Sequence, residues 1–107
     1  MSDLPLVSNQ VQFLRFTVTT PGTAQQFTDV TIPDGFETTF KNRADNTGSF
    51  YLAPTQAAAQ SSTGARKILT SGESVTLAID NLNRLWRDCD DSTSVLEVTV
   101  LAPALTP

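Results

Sequence analysis

Polar side chains crowd a turn near the middle of the chain, in the stretch FKNRADNTGSFYLAP at residues 40–54. Such groups could belong to an active site, to a ligand site or to the bend itself. Asp and Asn hydrogen-bond to nearby backbone in turns, and glycine accepts the left-handed conformation. We therefore interpret Asp45, Asn46 and Gly48 as turn-forming residues, with a positive φ at Gly48. Arg43 and Asp45 are interpreted as turn capping and surface charge.

A second polar stretch, DCDDST at residues 88–93, is the best candidate for a metal site. Asp88, Asp90 and Ser92 match positions 1, 3 and 5 of an EF-hand loop, but Thr93 replaces its glycine and Thr99 its final glutamate. We therefore favour a solvated acidic turn over a weak calcium site, and we assign no metal ligand.

Cys89 is the single cysteine, so no intrachain disulfide can form. Neighbouring aspartates raise a thiol pKa, which predicts a structural cysteine.

The residues that most enzymes use are missing. The chain has no histidine, and its glycines form neither a phosphate-binding loop nor a G-x-S-x-G nucleophile turn. A Ser–Lys or paired-carboxylate mechanism needs a pair of residues that nothing here singles out. We predict that the protein is not an enzyme and assign it no catalytic residue and no cofactor.

Length and charge narrow the remaining classes. The 107 residues suffice for one domain, and a formal net charge of −4 argues against nucleic acid as a partner. No apolar run approaches the roughly 18 residues of a membrane span, and the N-terminus lacks the features of a secretory signal. The sequence therefore predicts a soluble protein that is made in the cytoplasm and has no membrane partner.

Apolar residues that alternate with period two predict about eight short strands, separated by turns such as IPDG and Ser71–Gly72. This pattern is typical of an antiparallel β-sandwich or a jelly-roll-like barrel. Strands 36–42 and 49–53 are expected to pair as a hairpin. The uncharged segment 55–65 is expected to be an exposed loop, although residues 56–60 could form one helical turn.

The proposed domain covers residues 11–102, between an N-terminal arm at 1–10 and a tail at 103–107. The arm shows no alternation but holds apolar residues, and Val11 and Phe13 break the alternation where the first strand begins. The hypothesis is that this region packs on another subunit or on a partner protein. The residues assigned to this contact are Leu4, Pro5, Leu6, Val7, Val11 and Phe13.

Trp86 and Tyr51 are the aromatic residues that could stack on a sugar. Trp86 alternates with Leu85, so one of these two side chains should face outward. Because aromatic residues dominate cores and interfaces, we favour a core or interface role for Trp86.

Two segments together carry a family resemblance. IPDGFETTFKNRADNTGSFYLAP and LTSGESVTLAIDNLNRLWRDC, within residues 32–89, resemble the small β-sandwich decoration or cement proteins of tailed-bacteriophage heads. The shared elements are an Asn-Thr-Gly turn before an aromatic strand, a Gly72–Glu73 turn, the motif IDNL and a second aromatic strand.

The resemblance implies a viral structural protein that binds the major capsid protein on the outside of the assembled capsid and strengthens it. It also implies a homotrimer located on the virion. The alternative from a different class is a carbohydrate- or receptor-binding β-sandwich of a phage fibre or tail. A cluster of exposed aromatic residues beside acidic ones would favour that alternative.

Overall fold

The structure, a computed structural model, describes the backbone of residues 8–62 and 65–104 and the side chains of residues 11–62 and 65–101. Within them lie eight strands and two short helical segments. The strands are β1 (Ser8–Phe16), β2 (Gln25–Gln26), β3 (Thr38–Asn42), β4 (Phe50–Ala53), β5 (Lys67–Leu69), β6 (Ser74–Leu77), β7 (Trp86–Cys89) and β8 (Leu96–Ala104). The helical segments are α1 (Gln56–Gln60) and a 3₁₀ turn (Leu82–Arg84).

The strands form two four-stranded antiparallel sheets. We name the sheet of order β1-β8-β3-β6 sheet A and the sheet of order β2-β7-β4-β5 sheet B. Their inner faces carry the alternating apolar residues that the sequence predicts, so the expected antiparallel β-sandwich is confirmed. The buried core holds Val18, Phe27, Ile32, Phe40, Phe50, Leu52, Leu69, Leu82, Cys89, Leu96, Val98 and Val100.

The predicted hairpin between residues 36–42 and 49–53 is wrong. β3 pairs with β6 and β8 in sheet A, whereas β4 pairs with β5 and β7 in sheet B. The segment between β3 and β4 therefore crosses from one sheet to the other. Turn residues show where a chain reverses, but they do not show whether the next strand pairs with the preceding one or packs opposite it.

β1 and β8 form the longest ladder, from Ser8 opposite Ala104 to Phe16 opposite Leu96. β1 therefore extends into the segment predicted as an arm, and β8 extends into the predicted tail. β3 pairs with β8 from Leu96 to Thr99, so in the described part of the chain residues 100–104 pair with β1 alone. We call residues 8–13 and 99–104 the ribbon. Leu4, Pro5, Leu6 and Val7 lie outside the described residues.

The segment predicted as a loop contains the helix α1. Thr55 caps it by accepting a hydrogen bond from the backbone N–H of Ala58. Ala59 is fully buried beside Ala24 and Ala53, and Trp86 packs against this cluster. The small alanine side chains let the helix lie close to the outer face of sheet B. Of the two neighbours Leu85 and Trp86, it is therefore Trp86 that faces away from the core between the sheets. There its side chain packs against the alanine cluster that includes α1.

Candidate functional site

The polar residues of the turn at residues 43–48 surround Asn42, which is fully buried at the end of β3. Its Nδ2 donates to the carbonyl oxygens of Gly48 at 2.9 Å and Leu69 at 2.8 Å. Its backbone N–H donates to Glu73, and its carbonyl oxygen accepts from Gly72. One side chain on sheet A therefore fixes the crossing segment and the end of β5 in sheet B. Asn42 lies two residues after the buried Phe40, so both side chains point into the core. A polar residue at a core-facing position of a strand is the sequence signal for this network that we missed.

Asn46 links the same turn to the start of β8. Its Nδ2 donates to Oδ1 of Asn42 and to the carbonyl oxygen of Val95, and its Oδ1 accepts from the backbone N–H of Val95. The Ser71 hydroxyl donates to the carbonyl oxygen of Asn46. Both polar atoms of the Asn46 side chain therefore hydrogen-bond within the fold, and a purely structural role for this residue stays a prediction.

The acidic turn after β7 packs against the same segment. Asp91 accepts hydrogen bonds from the hydroxyl of Thr47 at 2.7 Å and from the backbone N–H of Ser94 at 2.8 Å. Hydrogen bonds from Thr47 and then from Ser94 are the main causes that lower the pKa of Asp91 to about 2. Ser94 in turn accepts from the backbone N–H of Gly48 at 3.1 Å. We call Asn42, Asn46, Thr47, Gly48, Asp91 and Ser94 the polar latch, because together they connect the two sheets at one end of the sandwich.

The predicted positive φ at Gly48 is wrong, because the φ of this residue is not positive. A Cβ built on this residue would lie 2.8 Å from Oδ2 of Asp91. Glycine is therefore required here by close packing rather than by backbone conformation. Gly72, by contrast, has a φ of +83° and forms the tight turn that was predicted between β5 and β6.

Asp90 holds Tyr51 instead of contributing to a cation site. Its Oδ1 accepts from the Tyr51 hydroxyl at 2.6 Å, and its Oδ2 accepts from the backbone N–H of Ser49. The guanidinium of Arg66 lies 3.7 Å from the centroid of the Tyr51 ring. The hydrogen bond to Asp90 is the largest of the effects that raise the pKa of Tyr51 to about 12. The guanidinium of Arg66 therefore occupies one face of the Tyr51 ring, which is not bare for stacking on a sugar.

The EF-hand-like spacing of Asp88, Asp90 and Ser92 does not produce a shared binding point. Asp88 is buried, and its Oδ1 accepts from the backbone N–H of Gly22 and of Cys89. Among the residues whose side chains are described, no group of three or more histidine, cysteine, aspartate and glutamate residues could hold a metal ion. Cys89 is buried, and burial raises the pKa of its thiol, which fits the predicted structural role.

The remaining polar residues singled out by sequence also have local contacts. Arg43 forms an exposed ion pair with Asp45, with Nη2 and Oδ2 separated by 3.2 Å. Exposed pairs of this kind contribute little to stability, about 0–1 kcal/mol. The predicted surface role of both residues therefore agrees with the structure.

Sequence reasoning missed Arg87, which is 9% exposed on the inner face of sheet B. Its guanidinium carbon lies 4.9 Å from the ring centroid of Phe16 and 5.0 Å from that of Phe27. The guanidinium donates to the carbonyl oxygens of Thr17 and Gln26. Burial lowers the pKa of Arg87 to about 10, which still leaves the side chain protonated at neutral pH. These two hydrogen bonds connect the backbone just after β1, at Thr17, to β2, at Gln26.

The outer face of sheet A carries a different kind of surface. Arg15, Glu97 and Lys41 form one cross-strand row, and Phe13 opposite Thr99 begins the next. Beyond these rows the ribbon continues with Val11 opposite Leu101. Phe13 is 79% exposed and Val11 54% exposed. We call Val11, Phe13 and Leu101 the apolar platform.

An open polar cavity of about 660 Å³ lies at the IPDG turn. It is lined by Thr31, Ile32, Pro33, Asp34, Asp80, Asn81, Asn83 and Arg84. Asp80 and Arg84 form a two-point ion pair, with contacts of 2.8 and 3.1 Å. Phe36, 39% exposed, lines an adjoining cavity that shares Asp34 and Asp80 with the first.

Comparisons of the chain with protein families, with curated proteins and with solved structures found no match. Within the described residues, neither helical segment is long and apolar enough to cross a membrane.

Proposed function

We propose that this chain is a non-enzymatic structural protein of a tailed-phage virion. In this role it binds the major capsid protein on the outside of the assembled capsid and stabilises the shell. The observation that carries the proposal is the apolar platform, where Phe13 and Val11 are exposed side by side. Exposed apolar groups gathered at one place are typical of surfaces that bind another protein.

The energetics of the platform suit a protein that binds many equivalent positions. Burying an apolar side chain of this size contributes about 1.5–3 kcal/mol. A few such residues give each copy a modest affinity. A protein that binds the assembled shell but not the free capsid subunits shifts the equilibrium towards the assembled shell. Repetition over a symmetric capsid then multiplies a small contribution from each copy.

The polar latch supports the same proposal from another direction. Its polar side chains are engaged in joining the two sheets, and Asp90 is engaged with Tyr51. A cement protein needs a framework that resists deformation, and contacts that connect both sheets at one end of the sandwich supply it. The trimeric state implied by the resemblance stays a prediction.

The alternative function, binding of a carbohydrate or a receptor, is favoured by one observation. Phe36 is an exposed aromatic residue beside Asp34, at the border of the cavity that also holds Asp80 and Arg84. An aromatic ring beside hydrogen-bonding groups is a common arrangement in ligand sites. Trp86 and Tyr51, the aromatic residues considered from sequence, do not line this cavity.

Co-sedimentation with capsids assembled from the major capsid protein of the same genome tests the proposal. The chain should bind saturably and raise the temperature at which the capsids disassemble. Phe13→Ser should weaken binding at least tenfold. Ile68→Ser is the matched control, since Ile68 is 48% exposed but lies in sheet B.

Two results would contradict the proposal. One is no binding to these capsids by a folded chain, and the other is equal loss of binding in both variants. Binding to a glycan array that is abolished by Phe36→Ser, without capsid binding, would favour the alternative function.

A further inference from the structure

The free edge of β1 lacks the features that usually prevent strand pairing between molecules. Among the residues that the structure describes, β1 is an edge strand of sheet A and pairs with β8 alone. Over the described residues 8–16, SNQVQFLRF, the strand has no proline and no glycine and carries a single charge, on Arg15. Natural edge strands are usually kept short, charged, bulged or interrupted by proline. In an antiparallel ladder, every second residue of such a strand directs its N–H and C=O groups away from its partner.

We propose that this edge pairs antiparallel with β1 of a second copy of the chain, about a two-fold axis at Gln12. When Gln12 faces Gln12 of the second copy, the two exposed apolar side chains of β1, Val11 and Phe13, lie opposite each other across the new pair of strands. The two sheets A then join into one sheet of eight strands. An axis at Val11 would instead place Phe13 opposite Asn9, and an axis at Phe13 would place Val11 opposite Arg15.

The side chains of β1 suit this self-pairing. With Gln12 on the axis, Val11 faces Phe13 of the second copy, and Phe13 faces Val11. Aromatic and β-branched residues are favourable cross-strand neighbours. Arg15 faces position 9, which is an asparagine, so no like charges meet. The two Arg15 residues lie about 20 Å apart along the strands, at the usual rise per residue.

The proposed pairing adds to the proposed function, and the role of the dimer in capsid binding depends on that function. Each platform points outward from sheet A, so pairing through the edge does not cover it. The two platforms merge into a strip of six apolar side chains: Val11, Phe13 and Leu101 from each copy. A two-fold axis closes the assembly at two copies, in contrast to the trimer that the resemblance implies.

Sedimentation equilibrium of the full chain measures the assembly state directly. We expect a mass of twice 11.5 kDa. A mass of 11.5 kDa at high micromolar concentration, or three times that value, overturns the proposal.

A disulfide test checks the register. Oxidation of Gln12→Cys, in a chain that also carries Cys89→Ala, should give a covalent dimer because the two position-12 residues face each other. Arg15→Cys in the same background is the matched control and should remain uncrosslinked. Crosslinking that is equal at both positions, or stronger at position 15, contradicts a two-fold axis at Gln12.

A charge test checks the facing pair independently. Chains with Val11→Lys and Phe13→Lys, or with Val11→Glu and Phe13→Glu, should each be folded monomers, and mixing them should restore a dimer. Failure of the mixture to associate, with both chains folded by circular dichroism, overturns the pairing. A dimer that does not bind capsids would contradict the proposed function alone, whereas a monomer that binds them would contradict this inference alone.

Discussion

Gly48 and Asp91 approach each other so closely that a Cβ on Gly48 would lie 2.8 Å from Oδ2 of Asp91 and 3.0 Å from its Cγ. The contact joins the segment that crosses between the sheets to the turn that follows β7. The Asp91 carboxylate cannot move aside freely, because Thr47 and Ser94 donate hydrogen bonds to it. The absence of a side chain at position 48 is therefore part of the polar latch.

We expect Gly48→Ala to lower the free energy of unfolding by about 1–2 kcal/mol, since the added methyl group must displace a hydrogen-bonded carboxylate. Chemical denaturation would measure the loss. In an Asp91→Ala background the same substitution should cost much less, because the obstructing group is gone. Gly22→Ala is a useful control, as its strain comes from a φ of +89°, and apart from its chain neighbours no atom of the described residues lies within 4 Å of the added methyl group. Equal costs of Gly48→Ala in both backgrounds would contradict the close approach.

The Asp91 carboxylate should also make stability depend on acidity. Hydrogen bonds lower its pKa to about 2 in the folded protein, below the ordinary value for aspartate. The folded state therefore favours the charged form. The stabilisation is complete above about pH 4, the ordinary value, and is lost as the pH falls towards about 2.

Thermal unfolding at a series of values between about pH 6 and about pH 2 would measure this dependence. Asp91→Asn should flatten the acid side of the profile. Ser92→Ala, an exposed neighbour without a titrating group, serves as the control. An Asp91→Asn profile that has the same slope as the unaltered protein would show that this carboxylate is not responsible.

Local patterning predicted most strands, because a strand with one buried face must alternate whatever it pairs with. Leu96, Val98 and Val100 are buried as that alternation requires. Pairing partners were harder to predict, since the turn chemistry around Asn46 is compatible with a hairpin and with a crossing between sheets. The reason for glycine at position 48 is a contact with a residue far along the chain, and local sequence carries no sign of it.

The helix α1 shows a different limit. Its five residues are too few to be stable alone, so composition favoured a loop. What stabilises it is packing of Ala59 against Ala24, Ala53 and Trp86, which come from three other segments. The Thr55 cap was present in the sequence, but a cap without an apolar period does not predict a helix.

Thr38 offers a test of how buried polar groups affect this core. The residue is fully buried on β3, and among the described residues nothing hydrogen-bonds to its hydroxyl. Thr38→Val keeps the shape and removes a hydroxyl that loses its water without gaining a partner. We expect the free energy of unfolding to rise by about 1 kcal/mol or more. Thr39→Val is the contrasting variant, because it removes a hydrogen bond to Thr76, and a stability gain only at position 39 would contradict the interpretation.

Tyr51 is the single tyrosine of the chain, so its ionisation can be followed by the ultraviolet absorbance of phenolate without interference from another tyrosine. Its hydroxyl donates to Asp90, and a phenolate at that position would face a carboxylate, so the pKa is raised to about 12. The folded state thus favours the protonated ring. The resulting stability is complete below about pH 10, the unfolded value, and is lost as the pH rises through about 12.

Asp90→Asn should lower the pKa of Tyr51, because it removes the charge and the strongest acceptor. Arg66→Ala should raise it, because the guanidinium over the ring favours the phenolate. Circular dichroism at each pH keeps the comparison to folded protein. A titration midpoint near 10 in the unaltered protein, or shifts of the same sign in both variants, would contradict the arrangement of Tyr51 between Asp90 and Arg66.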